Sequence, residues 1–120
     1  MGSHPINLGL RFVLELAGWA SMGYWGWTQH QGALRFVLGI GLPLLAMGLW
    51  GTFRVPDDPG KAPVAVPGAL RLALEVVEFG AAVGLLIAAG RTALGIGLAA
   101  LLLLHYAASY DRIRWLLTQR

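Results

Sequence analysis

An arginine and a glutamate four residues apart, set in apolar sequence, occur twice in this chain. The strings are Leu10-Arg11-Phe12-Val13-Leu14-Glu15 and Leu70-Arg71-Leu72-Ala73-Leu74-Glu75, and they lie sixty residues apart in a chain of 120. A second echo follows, Leu38-Gly39-Ile40-Gly41-Leu42 recurring as Leu94-Gly95-Ile96-Gly97-Leu98. The chain therefore reads as two copies of one two-helix unit. Each copy carries a charged pair into a hydrophobic segment, where charge is costly and marks a site by default.

Composition sets the class. Hydrophobic residues make up 57% of the chain and charged residues 12%, with mean hydropathy +0.64. A water-soluble domain carries about 25% charged residues, so an integral membrane protein is expected, with no separate soluble domain. Cysteine is absent, which excludes disulfides, thiolate metal sites and thiol nucleophiles. The net charge of +3 does not point to nucleic acid, because the basic residues flank apolar segments rather than forming a patch. No basic stretch precedes the first apolar segment, so a cleaved signal peptide is not expected.

Uncharged runs at 36–53 and 92–110, of 18 and 19 residues, approach the ~20 that a helix needs to cross a bilayer. The runs that follow Glu15 and Glu78, 16–27 and 79–90, hold only 12 residues each. That is roughly 18 Å of helix against a core about 30 Å thick. Those two helices must reach backwards to cross, drawing Glu15, Glu75 and Glu78 into the membrane. The expected spans are 8–28 and 34–53 in a first repeat, 7–55, then 68–89 and 92–110 in a second, 68–112. Between the repeats, 54–67 holds Pro56, Pro59, Pro63 and Pro67 and reads as an extended linker. Seven basic residues on the side of the linker and both termini, against Arg35 and Arg91 on the other, put both termini in the cytoplasm. Trp50, Phe53, Tyr106 and Tyr110 are expected at the inner interface. The segment 111–120 alternates charge with Ile113, Trp115, Leu116 and Leu117 and predicts an amphipathic tail along the inner surface. Two spans per repeat imply a parallel repeat about an axis along the membrane normal. The fold expected is all-α: an integral membrane four-helix bundle of two parallel-repeat hairpins.

Steps of three and four residues keep one helix face, so Arg11 and Glu15 share a stripe, as do Arg71, Glu75 and Glu78. Symmetry would bring the stripes together, each arginine meeting carboxylates of the other copy through its planar fork. Three carboxylates against two arginines leave one negative charge, which a proton or a cation would neutralise. His105, whose counterpart in the first repeat is Leu49, is a candidate partner for Glu78. This Arg11, Glu15, Arg71, Glu75, Glu78 and His105 cluster has three readings: fixing helix register, a proton or cation pathway, or a site for another polar ligand. A metal or haem needs several ligands that the sequence lacks, and no cofactor is expected. Gly80-Ala81-Ala82-Val83-Gly84 is a GxxxG pattern, which with Gly39, Gly41, Gly48, Gly95 and Gly97 suggests close helix packing. Pro43 predicts a kink with a freed carbonyl near Gly39. Asp57-Asp58 reads as turn chemistry and His30 as a solvated turn residue.

Several of these strings resemble the YrdB family of small bacterial membrane proteins. They are Asn7-Leu8-x-Leu10-Arg11-Phe12-x-Leu14-Glu15-Leu16, Gly23-Tyr24-Trp25-Gly26, Gly41-Leu42-Pro43, Leu49-Trp50-Gly51-Thr52-Phe53-x-x-Pro56 and Leu70-Arg71-x-x-Leu74-Glu75-x-x-x-Phe79-Gly80. The Trp-Gly-Thr-Phe block is the most specific part. The resemblance implies four membrane helices in a bacterial inner membrane and carries over no catalytic or binding residue. Small multidrug transporters share four spans and a first-span glutamate, an analogy only.

Two functions are therefore expected in the alternative. One is a proton- or cation-coupled transporter or channel for a small solute, which four short helices would favour building as a homo-oligomer. The other is a non-transport membrane module binding lipid or a partner membrane protein. An enzyme is not expected, for want of a nucleophile, metal set or cofactor motif.

Overall fold

The computed structural model describes residues 4–58 and 60–120. These residues are mainly helical, in five helices. Helix α1, Pro5–Thr28, opens on a proline at its first turn, where the missing N–H costs nothing, and the His4 ring accepts from the Ile6 amide. Helix α2 runs Ala33–Thr52, α3 Gly68–Ala88, α4 Thr92–Ala108 and α5 Tyr110–Thr118. The α3–α4 turn is tight, with Gly90 at φ 82°, a left-handed value that suits glycine. Two two-residue strands, β1 Phe53–Arg54 and β2 Val64–Ala65, pair in parallel and fold the proline-rich linker back on itself.

Helices α1 and α3 lie against each other at the centre. Helix α2 packs on α1, and α4 packs on α3. Their shared core joins Leu14 and Met22 to Phe79, Ala82, Leu98 and Leu102. Trp50 enters this core edge-on to Phe79, with ring centroids 5.2 Å apart. It is buried, and Tyr106 turns its hydroxyl toward Glu75, while Tyr110 is exposed.

The helix geometry changes just before Pro43. A π-helical turn, Val37–Gly41, absorbs the mismatch and the α-helix resumes at Leu42, a device that reroutes carbonyls the proline cannot serve. At this turn α1 and α2 touch backbone to backbone, and a Cβ on Gly26 would overlap Leu38.

Among the described residues nothing packs against the GxxxG pattern. Gly80 and Gly84 face open space, as do Gly41, Gly48 and Gly97, whereas Gly39 and Gly95 pack against Trp27 and Ile87. Close packing falls at glycines that the motif does not flag. At Gly68 a Cβ would overlap the Leu116 carbonyl, and the Gly68 amide donates to Gln119 O at 2.9 Å. Helix α5 turns 68° from α4 at Ser109 and is held by this contact. Leu116 on its inner side is fully buried, whereas Leu117 is exposed. Gly68→Ala is expected to dislodge α5, at a cost of about 1–3 kcal/mol for an overlap with backbone. Faster amide exchange confined to 110–118 is the measurement.

Polarity is distributed inside out. Among the described residues, Arg11, Arg71, Glu75, Glu78, Asp58 and Arg112 are buried, while large apolar side chains such as Leu44, Leu45, Leu94, Leu103 and Leu104 are exposed. Among the described residues one helix, Ala33–Thr52, is long and apolar enough to cross a membrane, with only 11% of its most apolar window buried. The bent pair α4–α5 passes the same test as one unit. Helix α3 carries three charged residues within its length.

Candidate functional site

The site forms where the linker end of α1 meets α3, and Glu75 is its centre. None of the Glu75 side chain is exposed. Its Oε1 accepts from the Tyr106 hydroxyl at 2.6 Å and Arg112 Nη1 at 3.0 Å. Its Oε2 accepts from Arg71 Nε at 2.9 Å and Arg112 Nη2 at 2.7 Å, with Arg11 Nη2 at 3.5 Å. A carboxylate offers about four acceptor positions, so Glu75 is saturated, and by donors drawn from four helices.

Each arginine does a second task. Arg71 spans to the C-terminal end of α2, donating from Nη1 to the carbonyls of Trp50 and Phe53, while its guanidinium lies over the Trp50 ring at 4.5 Å. Trp50 lies in the last turn of α2, where carbonyls lack an intrahelical partner, and Phe53 caps that turn, so a cation there also meets the negative end of the helix dipole. Arg11 holds Glu15 at 3.3 Å, and Trp50 Nε1 donates to the same carboxylate oxygen at 3.1 Å. Arg112 forks onto Asp58 through Nε at 2.8 Å and Nη2 at 2.6 Å. Burial works against the Arg112 charge, but its hydrogen bonds to Asp58 and Glu75 more than offset that and raise its pKa above the ordinary arginine value.

The repeat symmetry expected of the pairing is thus only half present. Arg11 reaches across to Glu75, but Arg71 bonds Glu75 on its own helix and then turns to the α2 terminus. A helix end offering bare carbonyls lies within reach of Arg71, and that competes with the crossed pairing.

Glu78 stands apart. Trp19 Nε1 donates to its Oε1 at 3.4 Å, and its buried Oε2 has no partner among the described residues. The space between Glu78, Glu15, Gly18 and Trp50 has no room for a water molecule. His105 is not its partner. The His105 ring Nδ1 meets Asn7 Oδ1 at 3.1 Å, and Asn7 Nδ2 donates to Ser109 Oγ at 2.6 Å, tying the start of α1 to the end of α4. Asn7 and Trp19 are twelve residues apart on α1, about 18 Å along a helix, so His105 and Glu78 lie at different levels. Tyr106, one position and about 100° further round α4, is the side chain that α4 presents to Glu75.

Asp58, Arg112, Tyr106, Trp50, Trp19 and Asn7 complete the site beyond the residues that the sequence points to. Asp57, at φ 67°, serves the turn expected of the Asp-Asp pair, whereas Asp58 is buried in an ion pair. Trp50 carried a signal, as the opening residue of the Trp-Gly-Thr-Phe block. Arg112 carried none, since in sequence it is one of several basic residues on a polar tail.

Beside the cluster, Leu8, Arg11, Phe12, Glu15, Trp50 and Arg54 line an open cleft of about 310 Å³ between α1 and α2. Glu15 keeps 13% of its side chain exposed there.

Residues 9–103 match a family model described as a protein of unknown function (DUF2568). The chain is 40% identical over 116 residues to the uncharacterised protein YrdB of Bacillus subtilis, covering 94% of each chain. No solved structure matches.

Proposed function

The chain belongs to this YrdB-like family of unknown function (DUF2568), and from that premise we propose that it is a four-span membrane module of the bacterial inner membrane that does not transport. Its charged cluster is a clamp joining four helices, and its working surfaces face lipid or a partner membrane protein. Helices α1 to α4 are the spans, paired as two hairpins, with both termini in the cytoplasm. The exposed apolar faces of α2 and α4 support the membrane setting, because a water-soluble core helix that apolar is normally buried. Internal satisfaction of every buried charge but Glu78 lessens the need for water around α1 and α3.

The observation that carries the clamp reading is Glu75: fully buried, with each oxygen accepting two hydrogen bonds. A carboxylate that must load and release a proton or cation needs an exchange route, and this one has all its acceptor positions filled. One observation favours the transport reading instead. Among the described residues, Glu78 Oε2 is buried without a partner, one helical turn from Glu75 and beside Glu15.

Flux measurements on the purified protein in sealed vesicles separate the two. Under the clamp reading, wild-type vesicles show no proton or monovalent-cation flux above protein-free vesicles, and Glu78→Gln changes nothing. Flux that follows a pH gradient and disappears in a folded Glu78→Gln variant would overturn it.

A further inference from the structure

Glu78 is the member of the cluster that the clamp does not use. Arg11, Arg71 and Arg112 are matched by Glu15, Glu75 and Asp58, each of which is ion-paired with at least one of them. That network is neutral without Glu78. Glu78 is 7% exposed, its Oε1 accepts from Trp19 Nε1, and its buried Oε2 has no partner among the described residues. An oxygen anion left there without a donor costs far more than a neutral hydroxyl left without an acceptor.

The surroundings offer no protein cation to neutralise it. Helix α1 presents Glu15, a second carboxylate on the same space, whose like charge repels another anion. On its own helix lie Arg71 and Glu75, and Arg71 is spent on Glu75 and on the carbonyls of Trp50 and Phe53. Helix α2 adds the Trp50 ring to the wall, and among the described residues α4 adds no side chain. A metal cation needs several oxygen ligands or waters. The space holds no water, and no group of acidic and histidine side chains among the described residues could bind a metal. A proton is the cation that fits.

The same space adjoins the open cleft. Glu15 and Trp50 line both, and Glu15 is partly exposed. Glu15 and Trp19, the residue that holds Glu78, are four apart and so follow one another on one face of α1. One turn further from the cleft, Met22 packs with Phe79, and both are buried. A proton arriving from the cleft meets Glu15 first and Glu78 last.

Deepening the clamp reading, on which its closed far end rests, we infer that Glu78 is a proton-binding site loaded from the cytoplasmic cleft through Glu15. Glu78 Oε2 holds the proton, and Oε1 remains the acceptor for Trp19. In loading, Glu15 takes a proton from a hydronium ion in the cleft, leaving water. It then passes that proton to the Glu78 carboxylate and returns, ionised, to Arg11. The site exchanges protons with one side of the membrane and passes none across.

Infrared spectroscopy of the full chain in vesicles at neutral pH reads the site directly. A protonated carboxyl in a dry place gives a carbonyl band clear of the carboxylate and amide bands. The wild type should show this band, and folded Glu78→Gln should lose it. Glutamine mimics a neutral acid, with its oxygen toward Trp19 and its nitrogen in place of the hydroxyl, so this variant should melt as the wild type does. In deuterated buffer the band should shift as the proton exchanges. In Glu15→Gln that shift should slow by roughly a hundredfold, the low end of what a positioned proton-transfer group contributes. Glu15→Asp keeps a carboxylate for Arg11 but draws it back from Glu78. It should slow the shift too, and it keeps the route testable if Glu15→Gln does not fold. A wild type without the band, or a band that survives in Glu78→Gln, would overturn the proton site. Exchange as fast as wild type in a folded Glu15 variant would overturn the route. The clamp reading fails by a different result, proton flux across sealed vesicles. A missing infrared band leaves Glu75 saturated and that reading intact, whereas flux with the band present would give the site a second exit and refute its closed end.

Discussion

Glu75→Ala is expected to leave no folded protein in mild detergent. The substitution removes the carboxylate shared by three guanidinium groups, on Arg11, Arg71 and Arg112, around a site that is closed to solvent. Removing one partner of a buried ion pair costs about 3–5 kcal/mol. Here one carboxylate serves three cations and the Tyr106 hydroxyl, and a whole domain is stable by only about 5–15 kcal/mol. The loss should show as an absent monodisperse peak in size-exclusion chromatography and a missing cooperative melt. Glu75→Gln is the informative companion. It keeps one acceptor oxygen but turns the other into a donor facing Arg71 and Arg112, so it should fold poorly and not rescue. A normal melt for Glu75→Ala would show that the clamp is not what holds the helices together.

Arg112→Ala has the second largest expected effect, and it acts at the opposite end of the same network. Among the described residues, Arg112 alone bridges Asp58 of the linker to Glu75 of α3, and it does so from α5. Without it, Asp58 is left buried with no cation in its fork, and Glu75 loses two of its four hydrogen bonds. The expected destabilisation is again about 3–5 kcal/mol. It should also be local, because Arg11 and Arg71 still neutralise Glu75. The α5 helix and the linker should become protease-sensitive while α1 to α4 keep their protection. Arg112→Lys should recover little, since an ammonium is a point donor and cannot fork onto two carboxylates at once. Protection of α5 equal to wild type in Arg112→Ala would remove Arg112 from the network.

These predictions differ in how far the sequence anticipates them. Glu75 is visible in sequence because a charge within an apolar helical segment is rare and expensive, and because Arg71 one turn earlier marks the same face. The elements are visible for a similar reason, since long apolar runs bounded by prolines and Gly-Arg turns have one economical reading as helices. The helix ends expected at 28, 53, 89 and 110 fall within two residues of those found. Arg112 and Asp58 are not visible in this way. They lie fifty-four residues apart, in a linker and a tail whose polarity is what any solvated segment would show. His105 misleads for a related reason. Its apolar surroundings suggest an unpaired ionisable group, but whether position 105 or 106 faces Glu75 depends on the rotation of α4, and sequence periodicity leaves that rotation free in a helix apolar on every side.

From the sequence alone follow the helical class, the positions of the helices, and the presence of Arg11, Glu15, Arg71, Glu75 and Glu78 on two inward-facing stripes. Those conclusions rest on local quantities, hydropathy and helical period, that each segment carries by itself. The tertiary structure decided the partners: Arg71 on the end of α2, Arg112 and Tyr106 on Glu75, Asn7 on His105, and Glu78 left with one unmatched oxygen. Pairing is a property of distance between segments, set by helix rotation, by the π turn before Pro43 and by the close seat of α5 on Gly68. No local pattern encodes those three.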